Sequence, residues 1–297
     1  MNKWLIGGGI FIIIVLGGLG FFYYSVNSGL SLEATPAVLY PDGQVNVIRS
    51  GQTIPVESEF KVEQSDTIDT QSSKAKLFLF DSIFVMIEPN TKITVSQLIL
   101  DNIQLNQESG KTWNKVTKTF EVKNYGVKTP NAIASVRGTE FEVDATNNTK
   151  ITLVDGFVNV EGGNSNYDLK DFGKVYVDSS SIQNIPLTQE EKEKLIENVK
   201  EIKTMMEQER IVLANRLLEQ NSGLVSQTES LFGVTIDEQS FNNLFYDIDS
   251  GATTFDQLRK DADENLPFIT KDFIDQFEKL SKQIKNQDEI IEKIKNN

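Results

Sequence analysis

Residues 75–94 read AKLFLFDSIFVMIEPNTKIT, and this stretch decides the class of fold. Its apolar side chains form sets spaced by two positions, which is the spacing of residues on one face of a β-strand. The runs LFLF and FVMI carry apolar residues on both strand faces, so we expect these strands to be covered on both sides. Asp81-Ser82 separates the two runs, and Glu88-Pro89-Asn90 predicts a turn after the second.

The same alternation extends from Ala37 to about Ile185, with turn residues roughly every eight to twelve positions. It predicts an all-β domain of the sandwich, barrel or solenoid kind over residues 37–185. After Pro186 the apolar residues recur at steps of three and four, which is typical of amphipathic helices. A helical region is therefore predicted over residues 186–297.

The helical region divides into four predicted helices. Thr188 and Glu191 have the spacing of a capping box, so the first helix is expected to begin there. The predicted ranges are 188–220, 237–247, 253–264 and 271–295. The last helix has apolar residues at heptad positions a and d, with Gln287 as the polar exception. This pattern allows either an intramolecular bundle or a homo-oligomer formed through the C-terminal helices.

The N-terminal segment Trp4–Tyr24, WLIGGGIFIIIVLGGLGFFYY, contains no charge. Its length matches the roughly 20 apolar residues of a transmembrane helix, so we expect residues 4–24 to contact membrane lipid. Lys3 favours a cytoplasmic N-terminus, which makes residues 1–3 a cytoplasmic stub, residues 25–36 a stalk and the remainder extracytoplasmic. The alternative is a cleaved signal peptide, whose apolar region is normally about 7–15 residues long.

Composition excludes several functional classes. The chain has no cysteine and no histidine, so disulfides, thiol nucleophiles, Ser-His-Asp triads and the commonest metal ligands are ruled out. The net charge is −14 and no basic stripe is present, which argues against binding of nucleic acid. We expect no cofactor and no enzymatic activity, although glycan cleavage by a pair of carboxylates stays open.

The most specific motif is Lys128–Val143, KTPNAIASVRGTEFEV, preceded by Gly110–Val116, GKTWNKV. Alternation places Ala132, Ala134 and Val136 on one strand face and would place Phe141 and Val143 on the other. One extra residue near Arg137-Gly138-Thr139 would shift the alternation, so that both sets of side chains face the core. A β-bulge is therefore predicted at 137–139, with Gly138 supplying the permissive backbone.

These segments resemble the signature of FecR domains, the extracytoplasmic β domains named after the ferric-citrate regulator. Residues 75–94 and Thr152–Val160, TLVDGFVNV, are similar to the flanking parts of that signature, and the resemblance covers roughly residues 37–178. It implies a β domain that recognises a partner outside the cytosol. The regulators that give the family its name bind a sigma factor through a cytoplasmic domain, and residues 1–3 are too short for us to expect this activity here.

The residues that match the family motif are predicted to be structural. They are Gly110, Trp113, Thr129, Pro130, Val136, Arg137, Gly138, Thr139 and Phe141. For Arg137 we favour a structural tie to backbone carbonyls or to a carboxylate, such as Glu140 or Glu142, over an anion contact. For Trp113 we favour a core anchor over ligand stacking. The family's usual Asp-Gly turn is Asp81-Ser82 here, which puts the tightness of that turn in question.

The sequence thus predicts a membrane-anchored, extracytoplasmic FecR-like protein that acts as a non-enzymatic binding or sensory module. Its ligand would be a protein or a component of the cell envelope. One alternative is a structural envelope scaffold that oligomerises through its C-terminal helices. A less favoured alternative is a carboxylate-based glycan hydrolase.

Overall fold

The computed structural model describes residues 37–117, 123–220, 222–233, 235–265 and 271–296. The predicted stub, membrane helix and stalk, residues 1–36, lie outside these ranges. Among the helices that the described ranges contain, none combines the length and the apolar character needed to cross a bilayer. The membrane span at 4–24 therefore stays a prediction.

The described residues form eighteen strands and five helices. The strands are β1 Ala37–Pro41, β2 Val45–Arg49, β3 Gln52–Val56, β4 Phe60–Lys61, β5 Thr67–Asp69, β6 Ala75–Leu79, β7 Ile83–Ile87, β8 Lys92–Ile99, β9 Asn102–Ser109, β10 Lys111–Val116, β11 Asn124–Lys128, β12 Ala132–Val136, β13 Glu140–Asp144, β14 Thr149–Asp155, β15 Phe157–Gly162, β16 Ser165–Lys170, β17 Lys174–Val177 and β18 Ile182–Asn184. The helices are α1 Gln189–Gln220, α2 Ser222–Phe232, α3 Glu238–Ser250, α4 Phe255–Asn265 and α5 Lys271–Asn296. The predicted class, a β region followed by C-terminal helices, is confirmed.

The strands form two nine-stranded sheets that share one core. The first sheet has the order β18-β17-β14-β13-β10-β7-β6-β1-β4, and the second has the order β16-β15-β12-β11-β9-β8-β5-β2-β3. The chain passes repeatedly from one sheet to the other. In both sheets the successive strands are added along the same direction, from β3 and β4 at one end to β16 and β18 at the other. This arrangement combines the sandwich and the solenoid that the sequence predicted.

Strand β7 explains why the run FVMI is apolar on both faces. Ile83, Val85 and Ile87 point into the core between the sheets, whereas Phe84 and Met86 lie on the outer face of the first sheet. All five side chains are buried. The outer face of the first sheet must therefore be covered, as the sequence predicted for these strands.

The first part of α1 covers this outer face. Residues 37–205 and 286–296 belong to one compact unit. Within it, Lys174 on β17 pairs with Glu191 on α1, and Lys74 beside β6 lies 3.6 Å from Glu201 on α1. The predicted capping box is present, because Glu191 N donates to Thr188 Oγ1 and Thr188 N donates to Glu191 Oε2. The cap fixes the point from which α1 starts across the sheet.

Residues 206–285 form the second compact unit, which we describe by itself. Phe245 stacks on Phe277 with ring centroids 5.1 Å apart. The buried Arg210 donates to both carboxylate oxygens of Asp249, at 2.9 and 2.6 Å, and lies 4.4 Å from the ring centroid of Phe245. A paired and stacked guanidinium of this kind holds neighbouring helices together.

Helix α2 was not predicted. Asn221-Ser222-Gly223 indicated the end of α1, and α1 does end at Gln220. A new helix then begins at Ser222 and continues to Phe232. The polar and glycine residues marked an interruption correctly, but they gave no sign that the chain re-enters a helix at once.

The heptad stripe of α5 is buried within the chain itself. Among its described a and d residues, Phe277, Leu280, Ile284, Gln287, Ile291 and Ile294 are all less than 9% exposed. The side-chain amide of Gln287 is fully buried, and neither of its polar atoms has a hydrogen-bond partner among the described residues. These stripe residues are therefore buried within the described part of this chain.

The segment 137–139 is a corner between two sheets, which differs from the predicted bulge. Strand β12 ends at Val136 in the second sheet, and β13 begins at Glu140 in the first. Gly138 has a φ of 80°, so it supplies the left-handed backbone that the corner needs. Phe141 and Ala134 both face the core, as expected, because the chain crosses the core rather than gaining a residue within one strand.

A chain of buried polar side chains joins the two sheets through the core. Tyr125 on β11 donates to Asn114 Oδ1 on β10 at 2.5 Å, and Asn114 Nδ2 donates to Thr112 Oγ1 at 3.0 Å. Thr112 Oγ1 donates to Gln107 Oε1 at 2.7 Å, and Gln107 Nε2 donates to the carbonyl of Val143 at 3.0 Å. Each buried amide and hydroxyl in this chain has a partner, so the network specifies one alignment of the sheets.

We expect Tyr125→Phe to reveal this network through its pH dependence. Burial raises the pKa of the Tyr125 hydroxyl well above its usual value. The unfolded chain therefore releases this proton first, and the wild-type free energy of unfolding falls by up to about 1.4 kcal/mol per pH unit above about pH 10. The variant should be about 1–3 kcal/mol less stable at about pH 8, because Asn114 loses its donor.

Urea denaturation of both proteins at about pH 8 and about pH 11 measures the two effects. The stability gap between wild type and Tyr125→Phe should shrink at the higher pH, because only the wild type carries the titrating hydroxyl. Tyr246→Phe is the control, since Tyr246 is 72% exposed. A gap that stays constant between the two pH values contradicts the prediction.

Candidate binding face

The two motif segments meet at a buried carboxylate. Strand β10 pairs with β13, and Lys115 is directly opposite Glu140. Trp113 Nε1 donates to Glu140 Oε1 at 3.1 Å, and Lys115 Nζ lies 3.0 Å from Glu140 Oε2. All three side chains are at most 2% exposed. Glu140 thus joins the two segments on the covered outer face of the first sheet, and sequence analysis had not assigned it this position.

The corner residues of the motif have distinct surroundings. Thr139 Oγ1 donates to the carbonyl of Phe157 at 2.9 Å, and its backbone pairs with Val116 in both directions. Arg137 is exposed, and among the described residues it has no bond to Glu140 or Glu142. Lysines pair with both of these carboxylates instead. The structural role of Arg137 stays a prediction.

Glu142 and its lysine partner lie next to the buried contacts of Glu140 with Trp113 and Lys115. Lys111 Nζ is 3.6 Å from Glu142 Oε1 and 3.5 Å from Asp144 Oδ2. Burial raises the pKa of Glu142, and the positive charge of Lys111 opposes that rise. Strand pairing holds the group in place, and Lys111, Glu142 and Asp144 are only partly exposed, at 26%, 13% and 14%.

The start of the motif is a capped turn. Thr129 Oγ1 accepts from the backbone nitrogen of Ala132 at 2.9 Å and lies 2.6 Å from Thr149 Oγ1. Thr129 is buried, whereas Pro130 is exposed at the turn. The hydroxyl of Thr129 therefore takes the place of a backbone acceptor where the chain reverses.

The other motif residues lie in the core or in a tight turn. Val136 is buried between the sheets, and Phe141 packs edge-on against Tyr125 with ring centroids 6.3 Å apart. Gly110 has a φ of 83° and lies directly against the backbone of Thr91. These contacts agree with a structural role for the motif, which stays a prediction until the variants discussed below are measured.

A different surface has the features of a binding site, namely the outer face of the second sheet on five adjacent strands. We call it the polar face. Its residues are Asn102, Gln104, Asn106, Asn124, Gly126, Lys128, Ile133, Ser135, Phe157, Asn159, Glu161, Asn166, Asp168 and Lys170. Each is exposed or half-buried, while the residues between them point into the core.

The polar face has a continuous row across all five strands. Strand register places Asp168 opposite Asn159, Asn159 opposite Ser135, Ser135 opposite Gly126, and Gly126 opposite Gln104. Adjacent strands are about 4.8 Å apart, so the row is about 19 Å long. Gly126 has no side chain, and a Cβ built there would have no heavy atom nearer than 3.8 Å. The row therefore has a shallow trough at Gly126, next to its Gln104 end.

The amides of the polar face are largely free to bind a ligand. Asn159 Nδ2 donates to Asp168 Oδ1 at 2.9 Å. Within the described ranges, no protein group bonds to the side-chain amides of Asn102, Gln104 and Asn124. Phe157 adds an exposed aromatic ring at one edge of the row, with 46% of its surface open to solvent.

Sequence analysis missed this face because it read only the apolar half of the alternation. In β9 the apolar residues Ile103 and Leu105 indicate the strand, whereas the positions that alternate with them carry polar side chains. Those positions are Asn102, Gln104 and Asn106, three amides in succession on one face. A run of amides at period two was the signal that would have identified the surface.

A shallow groove of about 670 Å³ lies at the end of α5 and carries three carboxylates, Asp288, Glu289 and Glu292, beside Phe172. Asp288 accepts from Lys203 at 2.7 and 2.8 Å, and Glu292 pairs with Lys295 at 2.6 Å. Both acidic side chains are more than half exposed. A glycosidase needs one acid kept protonated by burial, so this groove does not favour the hydrolase alternative.

Acidic side chains are also possible ligands of a metal ion. In the part of the chain that the structure describes, no group of three or more acidic side chains is arranged to hold a metal ion. The acidic residues of the groove are arranged along one helix, and two of them, Asp288 and Glu292, are paired with lysines.

Comparison with known proteins identifies the domain that contains the motif. Residues 66–159 match the model of the family described as FecR protein, which confirms the resemblance noted in the sequence. The match covers about a third of the chain, less than the 37–178 over which the resemblance was noted. It includes Gly110, Trp113 and the whole of Lys128–Val143.

Two solved structures are similar to part of the chain. Both are of a "putative anti-sigma factor" from Parabacteroides distasonis ATCC 8503, at 20% identity. The alignments cover 40% and 39% of this chain and 59% and 56% of those chains, with TM-scores of 0.37 and 0.35. The chain thus spans less than two thirds of either structure. A comparison with curated proteins gave no match.

Proposed function

We propose that this chain is a membrane-tethered, extracytoplasmic module that binds a component of the cell envelope through its polar face and does not catalyse a reaction. The FecR-type domain at residues 66–159 supports a regulatory or sensory role. The apolar segment at residues 4–24 supports a single-pass anchor with a cytoplasmic N-terminus. The body after the stalk would then be exposed to the periplasm or the cell surface.

The observation that carries the proposal is the contrast between the two outer faces of the sandwich. The outer face of the first sheet is buried, with Phe84, Trp113 and Glu140 at most 2% exposed. The polar face of the second sheet is open, and the side-chain amides of Asn102, Gln104 and Asn124 have no protein partner within the described ranges. Exposed polar groups on a rigid scaffold are a common basis of recognition.

The scaffold alternative has less support. Oligomerisation through the C-terminal helices would require an apolar helix face that is available to a second copy. In α5 the described heptad residues from Phe277 to Ile294 are buried within the chain. A binding module therefore accounts for more of the observed surface.

Labelling of introduced cysteines tests both the topology and the use of the polar face. The chain has no cysteine of its own, so a single introduced thiol is the only target for a membrane-impermeant maleimide. The three variants are Asn2→Cys in the predicted stub, Lys128→Cys on the polar face and Tyr246→Cys on α3. Tyr246 is 72% exposed and serves as the reference position.

In intact cells, Tyr246→Cys should react and Asn2→Cys should react only after permeabilisation. Relative to Tyr246→Cys, Lys128→Cys should react several-fold more slowly in cells than in purified protein, because a bound ligand covers it. Reaction of Asn2→Cys in intact cells would contradict the topology. Equal relative rates of Lys128→Cys in cells and in purified protein would contradict binding at the polar face.

A further inference from the structure

The chemistry of the polar face identifies the class of ligand. We propose that it binds a neutral, extended polysaccharide chain that runs across the strands from Asp168 to Gln104. This inference rests on the proposed function and adds the identity of the ligand. Three properties of the face carry it: its charge balance, its hydrogen-bonding groups and its shape.

The charges of the polar face cancel. Lys128 and Lys170 are balanced by Glu161 and Asp168. A face with mixed and balanced charge offers no net attraction to an anionic polymer or to a basic protein. The complementary partner is therefore a neutral one.

The hydrogen-bonding groups match hydroxyls. The row across the five strands presents the carboxylate of Asp168, the amides of Asn159 and Gln104 and the hydroxyl of Ser135. An amide both donates and accepts, as does a sugar hydroxyl, so one side chain can satisfy a hydroxyl in either direction. Protein interfaces instead rely on aromatic, methionine and arginine anchors in pockets, and the polar face has one exposed aromatic residue, Phe157, and no methionine.

The shape of the row fits a flat polymer. Strands repeat at about 4.8 Å, which is similar to the advance per sugar ring along an extended β-linked chain. Five strands would therefore contact about four successive rings along about 19 Å. The trough at Gly126 lets a ring approach the sheet backbone. Phe157, which follows the turn at Gly156, offers an apolar surface to the C–H face of a ring.

Binding of defined oligosaccharides to the purified full chain in detergent tests the proposal. The probes are cellohexaose and chitohexaose as neutral chains and polygalacturonate as an anionic chain, with titration calorimetry as the readout. We expect saturable binding of at least one neutral hexamer and no binding of polygalacturonate. A preference for the anionic chain, or no binding of either neutral chain, overturns the inference.

Two variants and a control locate the binding site. Gly126→Val fills the trough, and because valine suits a strand and the Cβ position is open, the melting temperature should stay equal or rise while affinity falls about tenfold or more. Phe157→Ala should weaken binding to a similar extent. Tyr246→Ala removes an aromatic ring of greater exposure elsewhere and should leave affinity unchanged. Equal affinity of Gly126→Val and wild type overturns the placement.

The outcome separates this inference from the proposed function. If Lys128→Cys is protected in cells but no neutral glycan binds, the polar face binds another class of ligand and the inference alone fails. If Lys128→Cys is unprotected in cells, the proposed function fails at that face. A protein adduct formed from a photoreactive group attached to Lys128→Cys, in the absence of glycan binding, would identify a protein as the occupant.

Discussion

Gly110→Ala should lower the free energy of unfolding by about 3–5 kcal/mol, among the largest effects of any single methyl group in this chain. Gly110 has a φ of 83°, which disfavours any L side chain. A Cβ at this position would lie 2.4 Å from the Cα of Thr91 and 2.7 Å from the carbonyl oxygen of Asn90. Both contacts are with backbone, so rotation of a side chain cannot relieve them.

The backbone of the turn at Gly110 is also fixed by hydrogen bonds to its carbonyl oxygen. Its carbonyl accepts from Ala145 N at 2.7 Å and from Gln107 Nε2 at 2.8 Å. A shift of this backbone would therefore disturb the pairing of β10 with β13 and the buried network that contains Gln107. The strand pair cannot move aside without losing these bonds.

Gly51→Ala is the matched control. Gly51 has a φ of 79°, almost the same as Gly110, but a Cβ there would meet nothing within 4 Å. It should cost only about 1 kcal/mol, which is the backbone strain alone. Denaturation by urea gives both values. If the two variants lose equal stability, the close approach of Thr91 to Gly110 is not a feature of the folded protein.

The second large effect is expected at the buried pair of Lys115 and Glu140. Lys115→Met should destabilise the protein by about 3–5 kcal/mol, because it leaves the carboxylate of Glu140 buried without its cation. The double variant Lys115→Met with Glu140→Gln should recover most of this loss. Its amide oxygen can still accept from Trp113, and no charge remains buried.

An exposed pair with similar geometry provides the control. Lys92 Nζ lies 2.8 Å from Glu108 Oε2, but both side chains are more than a third exposed. Lys92→Met should therefore cost about 0–1 kcal/mol. Chemical denaturation of the single and double variants completes the comparison. A double variant no more stable than Lys115→Met would mean that Lys115 stabilises the fold by its packing and not by its charge.

The sequence predicted those parts of the fold that depend on the local spacing of apolar residues and on capping residues. Alternation in β7 predicted two covered faces, and Phe84 and Ile83 are buried on opposite sides. The capping box at Thr188 predicted the start of α1. These features depend on residues close together in the chain, so a single sequence is enough to recognise them.

Features that depend on contacts between distant strands were not predictable in the same way. The segment at Gly138 was interpreted as a bulge, because period two cannot distinguish an added residue from a crossing between sheets. Glu140 was interpreted as a possible partner of Arg137, whereas its partners Trp113 and Lys115 lie on another strand. Asp81 follows Phe80 in a turn where both have positive φ, so the hairpin stays tight without glycine.

The candidate binding face was hidden for a related reason. Its row joins Asn159, Ser135, Gly126 and Gln104, which are far apart in the sequence. Only the strand order, in which β9 pairs in parallel with β11, brings them together. The amides of β9 were visible in the sequence, but their neighbours on the surface were not.

The steady advance of both sheets has a consequence for how the protein matures. Each strand pairs mainly with strands that are synthesised shortly before or after it. The largest separation along the chain between two paired strands is that between β1 and β6. A nascent chain that emerges N-terminus first can therefore complete each layer as it appears and bury its apolar side chains promptly. Such vectorial assembly shortens the time during which unpaired strand edges are open to aggregation.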